Sequence, residues 1–493
     1  MDFVNVPLLA AAALVFVSVL AGLFSARIGF SFLMVFLFAG ILAGEDGIGG
    51  YRFNDFRLSF WVGNVALAVI LLDGGLRTSY STFRTGLKPA SLLASLGVLI
   101  CAVITALGAV LLLGLDWPAA LLLGAIVSST DAAAVFALLT RSGVTLNERV
   151  ATTLEIESGV NDPMAVYLTL AFIAVIAHGL DFASAWQVMA IDLVRQFGLG
   201  ALIGASAGFA LAALLNRVAT RDSGGDSGGG IIALLIGAAG LSVFAGAGLL
   251  GGSGFLAVYL FGLIVANRAA DAVAPALGAM DGYAWLAQAG MFLLLGLLVT
   301  PSTLVDTLAP ALGVALLLIF VARPAAVWLC LWPFHFSARE TWFIAWVGLR
   351  GAVPIVLALF PLLAGIAQAE LLFNVAFVVV LVSLLTQGTT IGMVARRLGV
   401  AMPDPGDERE VRKVFRDFAL DPATPVGVIC GFYGLPEPHD PSRPLGNWMV
   451  GELRRPPVVG DSVHLGQATF VVREVTNGRV SSIGFGLDPH EPD

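Results

Sequence analysis

Charge is what this chain has little of. Of its 493 residues only 12% are Asp, Glu, Lys or Arg, where a soluble globular chain carries about a quarter. With 58% hydrophobic residues and a mean hydropathy of +0.92, that scarcity predicts an integral membrane protein. The formal charge of −8 and the absence of a Lys/Arg-dense run argue against nucleic acid as a partner. Cys101, Cys330 and Cys430 are far apart and match no metal or redox spacing, so no cofactor is expected. Cys101 and Cys330 lie in apolar stretches and read as small buried hydrophobes. Histidine is also missing from the apolar interior. His178 and His335 fall in or beside loops, and His439, His464 and His490 lie in the tail, so proton carriage falls to carboxylates. The N-terminus lacks a basic segment before its apolar run and a clear cleavage site, so it reads as a retained first span.

Crossing a hydrocarbon core takes about 20 apolar residues. On that rule 13 stretches qualify, centred near residues 16, 36, 66, 100, 128, 163, 206, 240, 260, 291, 318, 351 and 384. Basic residues between spans set the orientation. With the N-terminus outside, the cytoplasmic loops carry Arg27, Arg77, Arg84, Lys88, Arg141, Arg149, Arg217, Arg221, Arg268, Arg339, Arg396 and Arg397. The opposite loops hold Arg52, Arg57 and Arg195, so the C-terminus is expected inside. Ser223 to Gly230 reads as a flexible linker between halves.

Beyond Met402 charges and prolines become frequent. Residues 471–475 and 480–485 alternate with period two, and Thr476-Asn477-Gly478-Arg479 between them is a hairpin signal. The expected division is a transmembrane domain at 1–400, a linker and amphipathic segment at 401–440, and a small cytosolic α+β domain at 441–493.

Chemistry concentrates in Glu157-Ser158-Gly159-Val160-Asn161-Asp162-Pro163, inside an otherwise apolar span. Glu157 and Asn161, and likewise Ser158 and Asp162, are four apart and lie on neighbouring faces of one helix. Pro163 removes a backbone donor and frees a carbonyl nearby. Ionisable groups at bilayer depth are costly and mark ion or proton pathways. A buried Asp162 must be neutralised by a proton or a cation, so one group can trade one for the other. Ser158 taken alone reads as a polar helix contact.

A second polar break, Ser128-Ser129-Thr130-Asp131, interrupts the preceding span. Such breaks let a membrane helix unwind where it lines a cavity. Thr130 reads equally as an intrahelical hydroxyl or a ligand, whereas Asp131 carries the same burial cost as Asp162. Gly348-Leu349-Arg350-Gly351-Ala352-Val353-Pro354 reads as a third interruption, around a buried Arg. Breaks at corresponding places in two halves are the trace of an inverted-repeat transporter. Arg323-Pro324 adds another buried cation, and each Arg demands a counter-charge, for which Glu157 is the obvious partner. Asp73, near the end of the third span, is either a helix-end residue or part of a cation-path mouth.

Thr130-Asp131, the 157–163 run, Arg323-Pro324 and Gly348-Leu349-Arg350-Gly351 together resemble the signature of the monovalent cation/proton antiporters, NhaP-type sodium/proton exchanger branch. The resemblance covers about residues 5–400. It implies an all-α polytopic fold of about 13 helices with inverted repeats and discontinuous helices, as a homodimer in the lipid bilayer of a bacterial inner membrane. It further implies that Asp162 binds the cation and the proton, helped by Thr130, Asp131 and Ser158. Glu157 would pair with Arg323 and be held by Asn161, with Arg350 in support, and exchange of K⁺ or Na⁺ for H⁺ would be electroneutral. Residues 441–487 resemble the CorC/HlyC-type transporter-associated domain. The tail is too short to hold also the potassium-uptake-type regulatory domain found in longer members.

Two other functions compete. A gated cation channel with a cytosolic regulatory domain would favour rings of carbonyls or acids from pore-loop repeats, and none is present. An intramembrane enzyme lacks His-Glu-x-x-His and a buried His to act as base.

Overall fold

The structure, a computed structural model, describes residues 2–25, 32–179, 182–219, 229–403, 414–416, 418–476 and 478–487. Of the expected linker at 223–230, all but Gly229 and Gly230 lies outside the described residues.

In a bilayer every backbone polar group must be satisfied within the segment, and the chain answers with helices. The first eight are α1 (Asp2–Ser25), α2 (Phe32–Ala43), α3 (Phe56–Arg77), α4 (Tyr80–Leu92), α5 (Val98–Leu113), α6 (Trp117–Val127), α7 (Ala132–Arg141) and α8 (Glu148–His178). Next come α9 (Phe182–Ala219), α10 (Gly229–Leu249), α11 (Gly254–Arg268), the short α12 (Ala270–Val273), α13 (Leu277–Leu298) and the short α14 (Pro301–Leu304). The last six are α15 (Leu308–Leu317), α16 (Arg323–Leu331), α17 (Ala338–Trp346), α18 (Val353–Leu363), α19 (Ala369–Ser383) and α20 (Thr389–Arg397). Among the described residues nine helical stretches are long and apolar enough to cross a membrane, and four shorter apolar helices accompany them.

Polar residues fix where several helices begin. Asp55 accepts from the amide of Leu58 and Asn147 from that of Val150, each at 2.9 Å, which satisfies donors that the first turn leaves orphaned. Ser337 and Glu340 close a reciprocal capping box at α17. Gly114 and Gly179 end α5 and α8 in the left-handed conformation.

The helices pack as two groups. In one, α11 lies against α9 and α3, and α13 against α2 and α3. In the other, α6 packs on α5 and α8, α15 on α5 and α19, and α18 on α19. The groups meet where α8 and α18 touch α3 and where α8 touches α11. Helix α8, which carries the 157–163 run, therefore sits at the seam.

Strands β1 (Thr145–Leu146) and β2 (Ala401–Met402) pair antiparallel, so the loop entering α8 is tied to the chain leaving α20. After them β3 (Phe418–Leu420), β4 (Ser462–Leu465), β5 (Ala468–Thr476) and β6 (Arg479–Leu487) form one antiparallel sheet in the order β3-β6-β5-β4. Helices Val426–Tyr433 and Leu445–Leu453 cover it, burying Val426, Leu445, Met449, Phe470 and Phe485. The expected hairpin is the β5–β6 connection, with Asn477 itself outside the described residues. The expected boundary at 440 is corrected. Residues 418–433, assigned to a linker, supply an edge strand and a helix of the C-terminal domain, because β3 hydrogen-bonds along β6. Of the segment expected to be amphipathic, residues 404–413 lie outside the described residues.

The domain sits on the membrane unit through buried charges. Arg149, at the start of α8, donates to both oxygens of Asp461 at 2.9 Å and to the carbonyl of Pro456 at 2.7 Å. Arg455 bridges Glu340 of α17 at 3.0 Å and Asp461 at 2.8 Å.

Candidate cation site

Two interrupted stretches cross beside α8. Residues 128–131 leave the helix between α6 and α7, and residues 347–352 do so between α17 and α18. The amide of Asp131 donates to the carbonyl of Leu349 at 2.8 Å, which joins the two breaks directly. Arg350 reaches back and donates to the carbonyls of Ser128 and Ser129 at 2.6 and 2.7 Å. Its guanidinium thus meets the carbonyl end of α6, where the helix dipole favours a cation. Asp131 accepts from the amide of Ala134 at 3.0 Å and so caps the opposite kind of end, the N-terminus of α7. A Cβ at Gly351 would collide with the Asp131 carboxylate, so only glycine permits the breaks to lie this close. The second break is braced from behind. The amide of Arg350 donates to Ser383, Ser383 donates to Gln387 at 2.6 Å, and Gln387 donates to the carbonyl of Trp346 at 2.7 Å.

Helix α8 presents its polar residues to this crossing. Asp162 accepts from the Ser129 hydroxyl at 2.5 Å and is 7% exposed. Ser158 donates to the carbonyl of Thr130 at 3.0 Å and accepts from the amide of Ala132 at 3.1 Å, one bond to each side of the break. On the other side of α8, Glu157 is wholly engaged by Arg323, whose two terminal nitrogens donate to its two oxygens at 2.5 and 2.9 Å. α8 runs unbroken through Pro163, and the missing amide leaves the Gly159 carbonyl, four residues back, without its helical donor. Gly159 also makes room for Tyr259, whose ring a Cβ there would meet at 2.6 Å.

A cavity of about 600 Å³ connects this region to the protein surface. Asp162, Asp131 and Ser158 line it at depth, Asp73 and Glu155 further out, and Arg77, Arg141 and Asp281 at the mouth. The mouth lies toward the N-terminal end of α8, the end on which the C-terminal domain sits. Asp73 accepts from Arg77 at 2.8 Å, and the same Arg77 donates to Asp281 at 2.9 Å. The Arg141 guanidinium stands over the rings of Phe32 and Trp285, at 5.0 and 5.8 Å.

Asp162, Asp131, Thr130 and Ser158 thus lie together, Asp73 shares their cavity, and Glu157 with Arg323 forms a pair just behind. One sequence expectation is corrected. Asn161 does not hold Glu157: its amide donates to the Thr130 hydroxyl at 2.5 Å, because four residues along α8 carries it to the break rather than to the ion pair. The carbonyls of Ser128 and Ser129 are not free for a cation, since Arg350 occupies them. The spacing Gly-x-Ser-x-Gly does occur at 204–208. There it lies inside α9 with Ser206 exposed and donating to the Ile203 carbonyl, so it forms no nucleophile elbow. Sequence reasoning missed Ser129 as the direct partner of Asp162, and it missed Glu155, Ser383 and Gln387. Ser383 and Gln387 lie four apart in one apolar span, and that polar pair was the available signal for them.

The family described as "Sodium/hydrogen exchanger, transmembrane" matches residues 13–397, and "Transporter associated domain" matches residues 412–489. The chain is 49% identical over 401 residues to the K(+)/H(+) antiporter NhaP2 of Shewanella baltica (strain OS223), covering 81% of this chain and 68% of that one. It is 48% identical over 405 residues to the K(+)/H(+) antiporter NhaP of Alkalimonas amylolytica, with 82% and 68% covered. Its fold is that of the sodium proton antiporter MjNhaP1 from Methanocaldococcus jannaschii at pH 8, with a TM-score of 0.68 at 24% identity over 81% of this chain and 99% of that one. The family match spans most of the chain and includes both crossing breaks and the whole of α8: this protein belongs to the sodium/hydrogen exchanger family.

Proposed function

We propose that this protein is a secondary active antiporter that exchanges a monovalent cation for H⁺, with Asp162 as the group both share. The observation that carries the reading is the state of Asp162. It lies at depth in an open cavity, its bond is to a hydroxyl, and among the described residues it has no ion-pair partner. Glu157, Arg323, Asp131 and Arg350 are by contrast each tied to an opposite charge, a helix end or carbonyls. A carboxylate so placed must be neutralised from outside, by a proton or by a cation. Ser158, Thr130 and Asp131 stand close enough to shape the cation's surroundings, and Glu157, Asn161, Arg323 and Arg350 hold the frame. The names of the relatives at 48–49% identity favour K⁺ over Na⁺ as the cation.

With one mobile charge on α8, exchange is one for one and electroneutral. The excess of basic residues on one set of loops supports an N-terminus outside and a C-terminus in the cytoplasm, and a bacterial inner membrane and a homodimer complete the reading. The test is transport by the purified protein in sealed vesicles carrying a pH dye, with K⁺ and Na⁺ offered in turn. Asp162→Asn is expected to abolish exchange in a correctly inserted protein. Cation-driven proton movement that survives the substitution would reject Asp162 as the shared group, and a rate that shifts with an imposed potential would reject electroneutrality.

A further inference from the structure

Glu155 lines the same cavity and has no part in the frame described above. It precedes Asp162 by seven residues on α8. That is two helical turns, so the two side chains share a face about 10 Å apart along the axis. Ser158 lies between them on the same face. One Glu155 oxygen accepts from the Thr78 hydroxyl at 2.6 Å, and among the described residues Glu155 has no ion-pair partner. The charges that face it are few. Arg77 is held between Asp73 and Asp281, and Arg141 is stacked on Phe32 and Trp285. Three acids and two arginines therefore line the outer cavity, and Glu155 is the acid left over. A second observation points to a ligand at the same place. Asp73, only 8% exposed, turns one oxygen to Arg77 while the other has no hydrogen-bond partner. Buried polar atoms without partners are rare and call for water or an ion.

We propose that Glu155 stages the incoming monovalent cation between the mouth and Asp162, and thereby sets the apparent cation affinity. The proposal rests on Asp162 being the exchange group. A fixed negative charge at this distance raises the cation's occupancy at Asp162 and leaves the translocating step unchanged, so its removal acts on KM and not on maximal rate. Coulomb attraction over about 10 Å at an effective dielectric of 20 to 40 corresponds to a change of about four- to fifteen-fold.

Glu155→Gln isolates the charge, because the amide oxygen still accepts from Thr78. Thr78→Val does the reverse. In sealed vesicles at low ionic strength, Glu155→Gln is expected to raise the cation KM by about four- to fifteen-fold at unchanged maximal rate. The increase should shrink when choline chloride screens the cavity mouth. Thr78→Val should leave the KM in place. Should Glu155→Gln fail to insert, Glu155→Cys gives the same comparison: labelling with a sulfonate-bearing thiol reagent restores the charge and should lower the KM. The native Cys101, Cys330 and Cys430 are buried and leave that labelling specific. An unchanged KM in Glu155→Gln, or equal losses of maximal rate in Glu155→Gln and Thr78→Val, would overturn the proposal and leave Glu155 as a tether between α3 and α8. Asp162→Asn separates this from the reading beneath it. If that variant still exchanges, the assignment of Asp162 fails; if it is inactive while Glu155→Gln keeps its KM, the staging role alone fails.

Discussion

Breaking the Glu157–Arg323 pair should cost more stability than any other single polar change in the membrane unit. Both side chains are buried, at 1% and 4% exposure, and both carboxylate oxygens are taken by the same guanidinium. Glu157→Gln leaves a buried cation without its counter-charge, and Arg323→Gln leaves a buried anion. Each is expected to cost about 3–5 kcal/mol. The double variant removes both charges at once and should cost no more than about the larger single loss, which is a coupling of roughly 3 kcal/mol. Unfolding of the purified variants in mixed micelles measures all four corners of the cycle. Arg350 supplies the control, because its guanidinium is engaged by the carbonyls of Ser128 and Ser129 rather than by Glu157. Arg350→Gln should therefore couple to Glu157→Gln far more weakly than Arg323→Gln does. Additive losses for Glu157 with Arg323, or equal coupling to both arginines, would refute the assignment of partners.

Two further outcomes follow from geometry away from that pair. Gly351→Ala should slow exchange strongly in vesicles while the protein still inserts, since a Cβ there displaces the Asp131 carboxylate and separates the crossing breaks; wild-type rates would show that the crossing tolerates movement. Deleting the chain after Met402, which spares the β1–β2 pair, should leave exchange active with a shifted pH or cation dependence, and Arg149→Gln should reproduce that shift by loosening the Asp461 contact. A truncated protein that inserts correctly yet transports nothing would mean the C-terminal domain is part of the working machine.

The site was legible in the sequence where burial makes polarity expensive. Asp162, Glu157 and Asp131 stand out because carboxylates in an apolar span have little reason to be there except function or pairing. The two breaks were legible as well, since Ser-Ser-Thr-Asp and Gly-Leu-Arg-Gly interrupt apolar runs. Partner choice was legible only through the resemblance, which implied Arg323. Glu157 had two candidate arginines, and the chosen one is 166 residues away, a separation that helical periodicity does not address. Asn161 was placed at Glu157 by the resemblance alone, whereas the neighbouring break offers it Thr130. Glu155 was passed over although it lies only two residues before Glu157, because it falls outside the 157–163 run on which the reading of α8 rested. The C-terminal boundary was placed too late because β3 is only three residues long and its sheet partner comes 63 residues later in the chain, as Leu420 paired with Ile483 illustrates.

The arrangement sets the buried charges that hold the frame, Glu157, Arg323, Arg350 and Asp131, apart from Asp162. Glu157 and Arg323 cancel each other behind α8. Arg350 faces the carbonyl end of α6, and Asp131 faces the amide end of α7, so each helix end at the first break meets the charge its dipole favours. Asp162 is different, because a hydroxyl donor at 2.5 Å does not neutralise it. On the proposed reading an empty, charged Asp162 is the costly state of the membrane unit, and a proton or a cation relieves the same deficit. Since one carboxylate does not serve both fully at once, binding of either favours release of the other. Coupled exchange then requires only that the fixed charges stay fixed, which is what their pairing provides.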